Sequence, residues 1–295
     1  MNEGHAYQLA ADELGQLPQR LLPHADFVKV TAALTAGAEA TIDGVWGSSC
    51  ALAVAALLQH TTAPMLLVTP LLNQVDALVD DLGLFGITRV ARLPAPEMGV
   101  TNLSAEESAD GERLRTLKQL ALPASQAPQV VVASIQALLR PLPDQQQLAA
   151  ANTLIKLGDL LDLDPWLEQL VRCGYVGTSA VAMPGEFARR GGIVDLFASD
   201  WETPVRIELF GDQVESIRRF DVLSQRSLET LERLELTVAS LESLGRDSIT
   251  SYLAADSWVA LIEPAQLKDV GTQFLERLEE SEGCYPLPTL LAQLA

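Results

Sequence analysis

Three observations predict a mixed α/β fold in which a parallel-sheet domain is interrupted by a small antiparallel meander. Short apolar runs alternate with helical patterns up to about residue 145, the order that builds parallel sheets covered by helices. Between Gly185 and Ser227 the helical period disappears and strand-like runs follow one another across tight turns. Beyond them one more apolar run, Ser257–Pro264, reads as a buried strand followed by a proline stop, one that could return to the first sheet. The expected division is therefore residues 1–150 (α/β domain), 151–238 (small domain) and 239–295 (return segment completing the α/β part).

Residues 1–40 carry two helical patterns, with apolar residues three and four apart. A short strand is expected at Ala40–Ile42, running through a Gly-Ser turn into an alanine-rich helix. Met65–Pro70 is continuously apolar, as a parallel strand buried on both faces should be. Leu71–Gly86 reads as an amphipathic helix ending at Gly83 or Gly86. Thr88–Ala95 gives a strand, Glu112–Leu122 a helix, and Val130–Ala133 a strand followed by a short helix that Pro141 stops. Leu154–Tyr175 supplies a connecting strand and helix. The meander contains Ile193–Phe197, Val205–Phe210 and, after a Gly211-Asp212 turn, a third run from Gln213. Leu228–Ser240 leads out of it.

Composition narrows the function. The chain has 295 residues and a formal net charge of −19. Duplex binding is driven largely by Lys and Arg neutralising phosphates, so this balance disfavours nucleic acid as a direct partner and favours protein. Cys50, Cys173 and Cys284 lie far apart with no C-x-x-C pair, and His5, His24 and His60 do not cluster with them. A zinc site is not expected, and reduced thiols are. The start of the chain lacks the basic and apolar regions of a signal peptide, and Ala51–Leu58 is far too short to span a bilayer. A cytoplasmic monomer without membrane contact is the expectation.

Two stretches could carry chemistry. Gly44-Val45-Trp46-Gly47-Ser48-Ser49-Cys50-Ala51 stands where a nucleotide loop G-x-x-x-x-G-K-[ST] would. Ser49 replaces the second glycine, Cys50 the phosphate-binding lysine, and Ala51 the hydroxyl that holds Mg²⁺. The run Val130–Ser134 ends without the carboxylates that position the metal. ATP hydrolysis is not expected, and no cofactor is. The second stretch is the meander, which holds Arg189, Arg190, Arg206, Arg218, Arg219 and Arg226 and no lysine. Arginine's planar fork suits directional pairing with carboxylates at an interface. A small sheet with solvated charges explains the same residues.

The string GEFARRGGIVDLF followed by PVRIELFGDQVESIRRFDVLSQRS closely resembles the second domain shared by the excision-repair protein UvrB and the transcription-repair coupling factors (the Mfd family). In both families that domain docks UvrA. The degenerate loop resembles the coupling factors rather than UvrB, which needs an intact one. No aromatic-rich hairpin of the UvrB kind is readable between Pro70 and Glu112. LPAPEMG followed by ERLRTL, and VVVASIQALLRPLP, also resemble coupling-factor segments.

The resemblance implies a UvrB-like, degenerate helicase-like first domain and a non-catalytic module that recruits UvrA in transcription-coupled nucleotide excision repair. Carried over by position, it implies UvrA contacts at Arg190, Arg206 and Phe210. Arg190 and Arg206 are expected on neighbouring strands facing one way, with Glu186 and Asp195 orienting them. A solvated edge for the arginines and a core position for Phe210 remain the competing readings. Arg218 and Arg219 are weaker candidates, because adjacent strand residues face opposite ways. Asp221, Gln225 and Arg226 are expected to form a turn network. The family's RNA-polymerase, DNA and ATP–Mg²⁺ functions belong to domains not seen in this chain, which reads as a fragment or a truncated form. A UvrB-like ATPase acting on damaged DNA is the alternative, and a decayed fragment a third.

Overall fold

The computed structural model describes residues 13–95, 103–238, 244, 246–278 and 283–294, without the side chains of 103–108. The expected features at the extreme N-terminus, the LPAPEMG stretch beyond Ala95 and Ala239–Ser240 lie outside the described residues. Along the chain come α1 (Leu17–Leu21), α2 (Ala25–Thr35), α3 (Ser48–Leu57), β1 (Met65–Thr69), α4 (Asn73–Leu84) and β2 (Val90–Leu93). Next are α5 (Leu103–Leu120), β3 (Val130–Ser134), α6 (Ile135–Leu139), α7 (Gln145–Ala150), β4 (Asn152–Lys156) and α8 (Leu163–Arg172). The strands β5 (Val176–Gly177), β6 (Glu186–Arg190), β7 (Ile193–Phe197), β8 (Val205–Phe210), β9 (Gln213–Phe220), β10 (Ser227–Thr230) and β11 (Arg233–Thr237) follow. The chain closes with β12 (Val259–Leu261), α9 (Pro264–Arg277) and α10 (Leu287–Leu294). The described chain is thus mixed α/β, with one parallel sheet and two antiparallel ladders.

Two compact units emerge, one of residues up to 95 with 116–141 and 248 onward, the other of 96–115 and 142–247. In the first, four strands lie in the order β12-β1-β3-β2, all parallel. The central strands β1 and β3 are buried at every position, which is why their sequence is unbroken Val, Leu and Met rather than alternating. The apolar stripe of α4 (Val75, Leu78 and Leu82) packs into the same core as α3 and Phe27. α4 stops at Phe85, and Gly86 takes the positive φ of 85° that the helix exit needs.

Two expectations are corrected here. Ala40–Ile42 is not a strand but part of an open stretch leading to α3. Ala40 and Thr41 are exposed and Ile42 only half-buried, so a strand there would bury little apolar surface to stabilise it. Ser257–Pro264 does return to the first sheet, as Val259–Leu261, yet as a half-buried edge strand and not a buried one.

In the second unit six strands run β10-β9-β8-β7-β6-β5, antiparallel except for the β5–β6 pair at one edge. β4 and β11 form a separate antiparallel ladder. The inner face of the large sheet carries Phe187, Val194, Leu196, Val205, Ile207, Val214 and Ile217, packed with Leu163, Trp166 and Leu170 of α8. Those helix positions repeat at three and four, so one stripe of α8 meets the sheet.

Gly111 of α5 shows a close approach invisible in sequence. A Cβ placed there would lie 2.0 Å from the Ser199 carbonyl oxygen. One turn on, Arg115 donates from Nε to the Asp200 carbonyl at 2.9 Å and from Nη2 to that of Trp201 at 3.2 Å. Helix propensity alone would make Gly111→Ala stabilising by about 1 kcal/mol. Overpacking against a backbone carbonyl opposes that by about 2–3 kcal/mol. We therefore expect Gly111→Ala to destabilise the chain by about 1–2 kcal/mol in urea unfolding; a rise in midpoint would contradict the close approach.

Candidate functional site

The glycine turn before α3 is held by its own hydrogen bonds. Gly44 and Gly47 hold φ of 76° and 55°, conformations that favour glycine. The N–H of Ser49 points to the Trp46 carbonyl at 3.3 Å and that of Cys50 to the Gly47 carbonyl at 3.0 Å, so both donors are spent inside the turn. Ser49 Oγ accepts from the Trp46 N–H at 2.9 Å and donates to its carbonyl at 2.7 Å. Ser48 is exposed at the start of α3, and Ala51 is fully buried. Burial, reinforced by the Glu263 carboxylate, pushes the Cys50 thiol above its ordinary range. Gly47 and Cys50, with Gln74, Ala77, Leu78, Asp81 and Ile262, line a cavity of about 80 Å³. Asp81 is the one charged residue among those lining it, and none of them is a lysine or arginine. Among the described residues no group of His, Cys, Asp and Glu could hold a metal, and no helix is long and apolar enough to cross a membrane.

The meander offers a different surface. Residues opposed across an antiparallel pair project to the same face. Ala188, Asp195, Arg206 and Arg218 form one such column, and Arg190, Ile193, Glu208 and Ser216 the next. Phe210, two residues beyond Glu208, continues the same face. This face is the reverse of the one packed on α8. The alternation in β8, buried at Val205 and Ile207 and open at Phe210, is the period-two pattern of a half-covered strand.

Arg190 and Arg206 share this face, as expected, but they are not on neighbouring strands, because β7 lies between β6 and β8. The Gly191-Gly192 turn that joins β6 to β7 explains the geometry. Gly191 takes φ of 63°, and a Cβ on Gly192 would lie 2.8 Å from the Leu209 carbonyl oxygen, so the turn folds tightly against β8. Arg190 is exposed and donates to the Ser179 carbonyl at 3.0 Å.

Arg206 is part-buried and held from three sides. Its Nε and Nη2 reach the two oxygens of Asp195 at 2.6 and 2.8 Å. Nη2 also donates to Gln225 Oε1 at 3.0 Å, and the guanidinium lies 4.7 Å from the centre of the Phe220 ring. The Asp195 hydrogen bonds raise the Arg206 pKa above its ordinary value. Asp195 itself is 8% exposed. The expected turn network is present and does more than close a turn. Asp221 accepts from the N–H and hydroxyl of Ser224 at 2.7 and 2.6 Å, which lowers its pKa. The Asp221 N–H donates to the Arg226 carbonyl, and Gln225 adopts φ of 55°, which aims its amide at Arg206.

Glu186 does not orient an arginine. Its carboxylate accepts from the backbone N–H groups of Ala182 and Met183 at 2.7 and 2.9 Å, fixing the entry to β6. Phe210 is 80% exposed and so is not a core residue. Arg218 lies on the face of Arg206, paired with Glu208, whereas Arg219 points the other way. One exposed apolar residue beside this face, Leu160, has no sequence signal, because only a backbone bridge to Gln213 brings it there.

Residues 154–241 match the family described as the UvrB interaction domain. The chain is similar to proteins named transcription-repair-coupling factor: 34% identical over 214 residues to that of Bacillus subtilis (strain 168) and 33% over 221 residues to that of Myxococcus xanthus. Each alignment covers 72% of this chain and 18% of the relative. The Mycobacterium bovis (strain ATCC BAA-935 / AF2122/97) protein of the same name is 38% identical over 175 residues, 57% of this chain and 14% of its own length. The chain thus spans less than a fifth of the curated relatives it matches.

Proposed function

We propose, for a chain related to the transcription-repair-coupling factors over most of its own length and carrying their UvrB interaction domain, that it is a non-catalytic module recruiting UvrA in transcription-coupled nucleotide excision repair. One observation carries the reading. Arg190, Arg206 and Phe210 share the outer face of the meander, with Phe210 exposed. Arginine and exposed aromatics are the residue types that dominate interface energies. The first unit then serves as a UvrB-like frame whose degenerate loop, Gly44 to Ala51, no longer handles a nucleotide. Work in the cytoplasm as a monomer goes with this role. Contact with RNA polymerase or DNA is left to other parts of a longer protein.

A calorimetric titration of the purified chain into UvrA tests the proposal. Saturable one-to-one binding is expected, and no heat of binding at micromolar concentrations would overturn it. The non-catalytic part has its own check. Mg²⁺-dependent ATP hydrolysis should not rise above the buffer rate as chain concentration increases. Turnover proportional to the chain would instead favour a UvrB-like ATPase.

A further inference from the structure

The tip of the β8–β9 hairpin holds a third partner from an unexpected part of the chain. Phe210 is opposed to Gln213 across the hairpin, and Gln213 is bridged on its other side by Leu160. Opposed residues share a face, so Leu160, Gln213 and Phe210 form one row across three chain segments. Leu160 is 82% exposed and Phe210 80%. Ile193, on the same face one step along, is also open to solvent. Three large apolar side chains are therefore exposed on one face, with Leu160 and Phe210 flanking Gln213 in a single row.

Leu160 is not in a loose loop. The N–H of Gly158 donates to the Val214 carbonyl at 2.8 Å, Val214 N–H to the Asp159 carbonyl at 2.9 Å, and Leu161 N–H to the Asp212 carbonyl at 2.7 Å. Gln213 Nε2 adds a bond to the Gly158 carbonyl at 3.2 Å. This ladder turns Leu161 toward the core and forces Leu160 outward. An 82% exposed leucine contributes little to the core, and a backbone already held in place loses little entropy on binding.

We infer that Leu160 is a second apolar anchor of the docking face, entering the same partner depression as Phe210. The inference rests on the UvrA-docking role proposed above. The charges on the face define the partner's chemistry. Arg206 is neutralised by Asp195 and Arg218 by Glu208. Arg190 meets no carboxylate within ion-pair distance among the described residues. The complementary surface is therefore an apolar depression for Leu160 and Phe210 with a carboxylate at its rim for Arg190.

The test titrates UvrA with the full chain, with Leu160→Ala, and with Val171→Ala, whose exposed side chain on α8 lies away from the row. Leu160→Ala should weaken binding about tenfold with the thermal midpoint unchanged, and Val171→Ala should leave the affinity as it was. Equal affinity for the unmodified chain and Leu160→Ala would overturn the inference and leave the docking role standing. A midpoint that falls together with the affinity would overturn it too, by making Leu160 structural. Self-association of the chain that Leu160→Ala disperses would assign the row to a second copy of this chain. Failure of the unmodified chain to bind would remove both the docking role and the anchor.

Discussion

Arg206→Ala should cost the second unit about 3 kcal/mol of stability, an effect of structure before it is one of binding. Removing one partner of a buried ion pair costs about 3–5 kcal/mol, because the other charge stays buried without compensation. Arg206 keeps some solvent access, which places the cost at the lower end. The residue left behind is Asp195, buried in the sheet and deprived of both its guanidinium contacts. Gln225 loses its bond at the same time, and the Phe220 ring its cation. Amide exchange across β7 to β9 should accelerate on the order of a hundredfold. Arg206→Lys should fall between, since a point charge cannot span both carboxylate oxygens. Arg206→Ala combined with Asp195→Ala should lose less than Arg206→Ala alone, because no buried charge is then left unpaired. Unchanged exchange in Arg206→Ala would mean that the pair contributes nothing to the sheet. Lost binding in Arg206→Ala would therefore not by itself locate a contact.

Phe210→Ala should behave in the opposite way. The ring is largely in solvent at the end of β8, so its removal should change stability by no more than about 0.5 kcal/mol. Truncating an exposed aromatic that becomes buried in a complex typically costs 2 kcal/mol or more, so UvrA affinity should fall about thirtyfold. Calorimetry and thermal unfolding on one preparation give both numbers. Affinity unchanged by the substitution would remove Phe210 from the face, and a large loss of stability would return it to the core. The two substitutions together separate the residue that holds the face in shape from the one that is free to touch a partner.

The meander was legible because its information is local. Alternating β-branched and charged residues, the Gly191-Gly192 pair and the Gly211-Asp212 turn each act within a few residues of chain. The departures from a nucleotide loop at Cys50 and Ala51 were legible for the same reason: residue identity at a given spacing does not depend on the fold. The non-strand at Ala40–Ile42 was not, because a strand is stabilised by the apolar surface it buries, and tertiary packing leaves these residues exposed or half-buried. Glu186 and Asp195 looked alike as carboxylates near arginines. Register alone decided that Asp195 faces Arg206 while Glu186 turns back to a backbone corner.

Residue type and spacing alone set the alternation of elements, the arginine-bearing meander and the departures of the glycine turn from a nucleotide loop. The tertiary structure decided that Arg206 is clamped and Phe210 free, that Gly111 must remain small against Ser199, and that Leu160 joins Phe210 on one row. Those outcomes depend on which distant segments lie side by side, and the pairing of backbone hydrogen bonds across the sheet sets that.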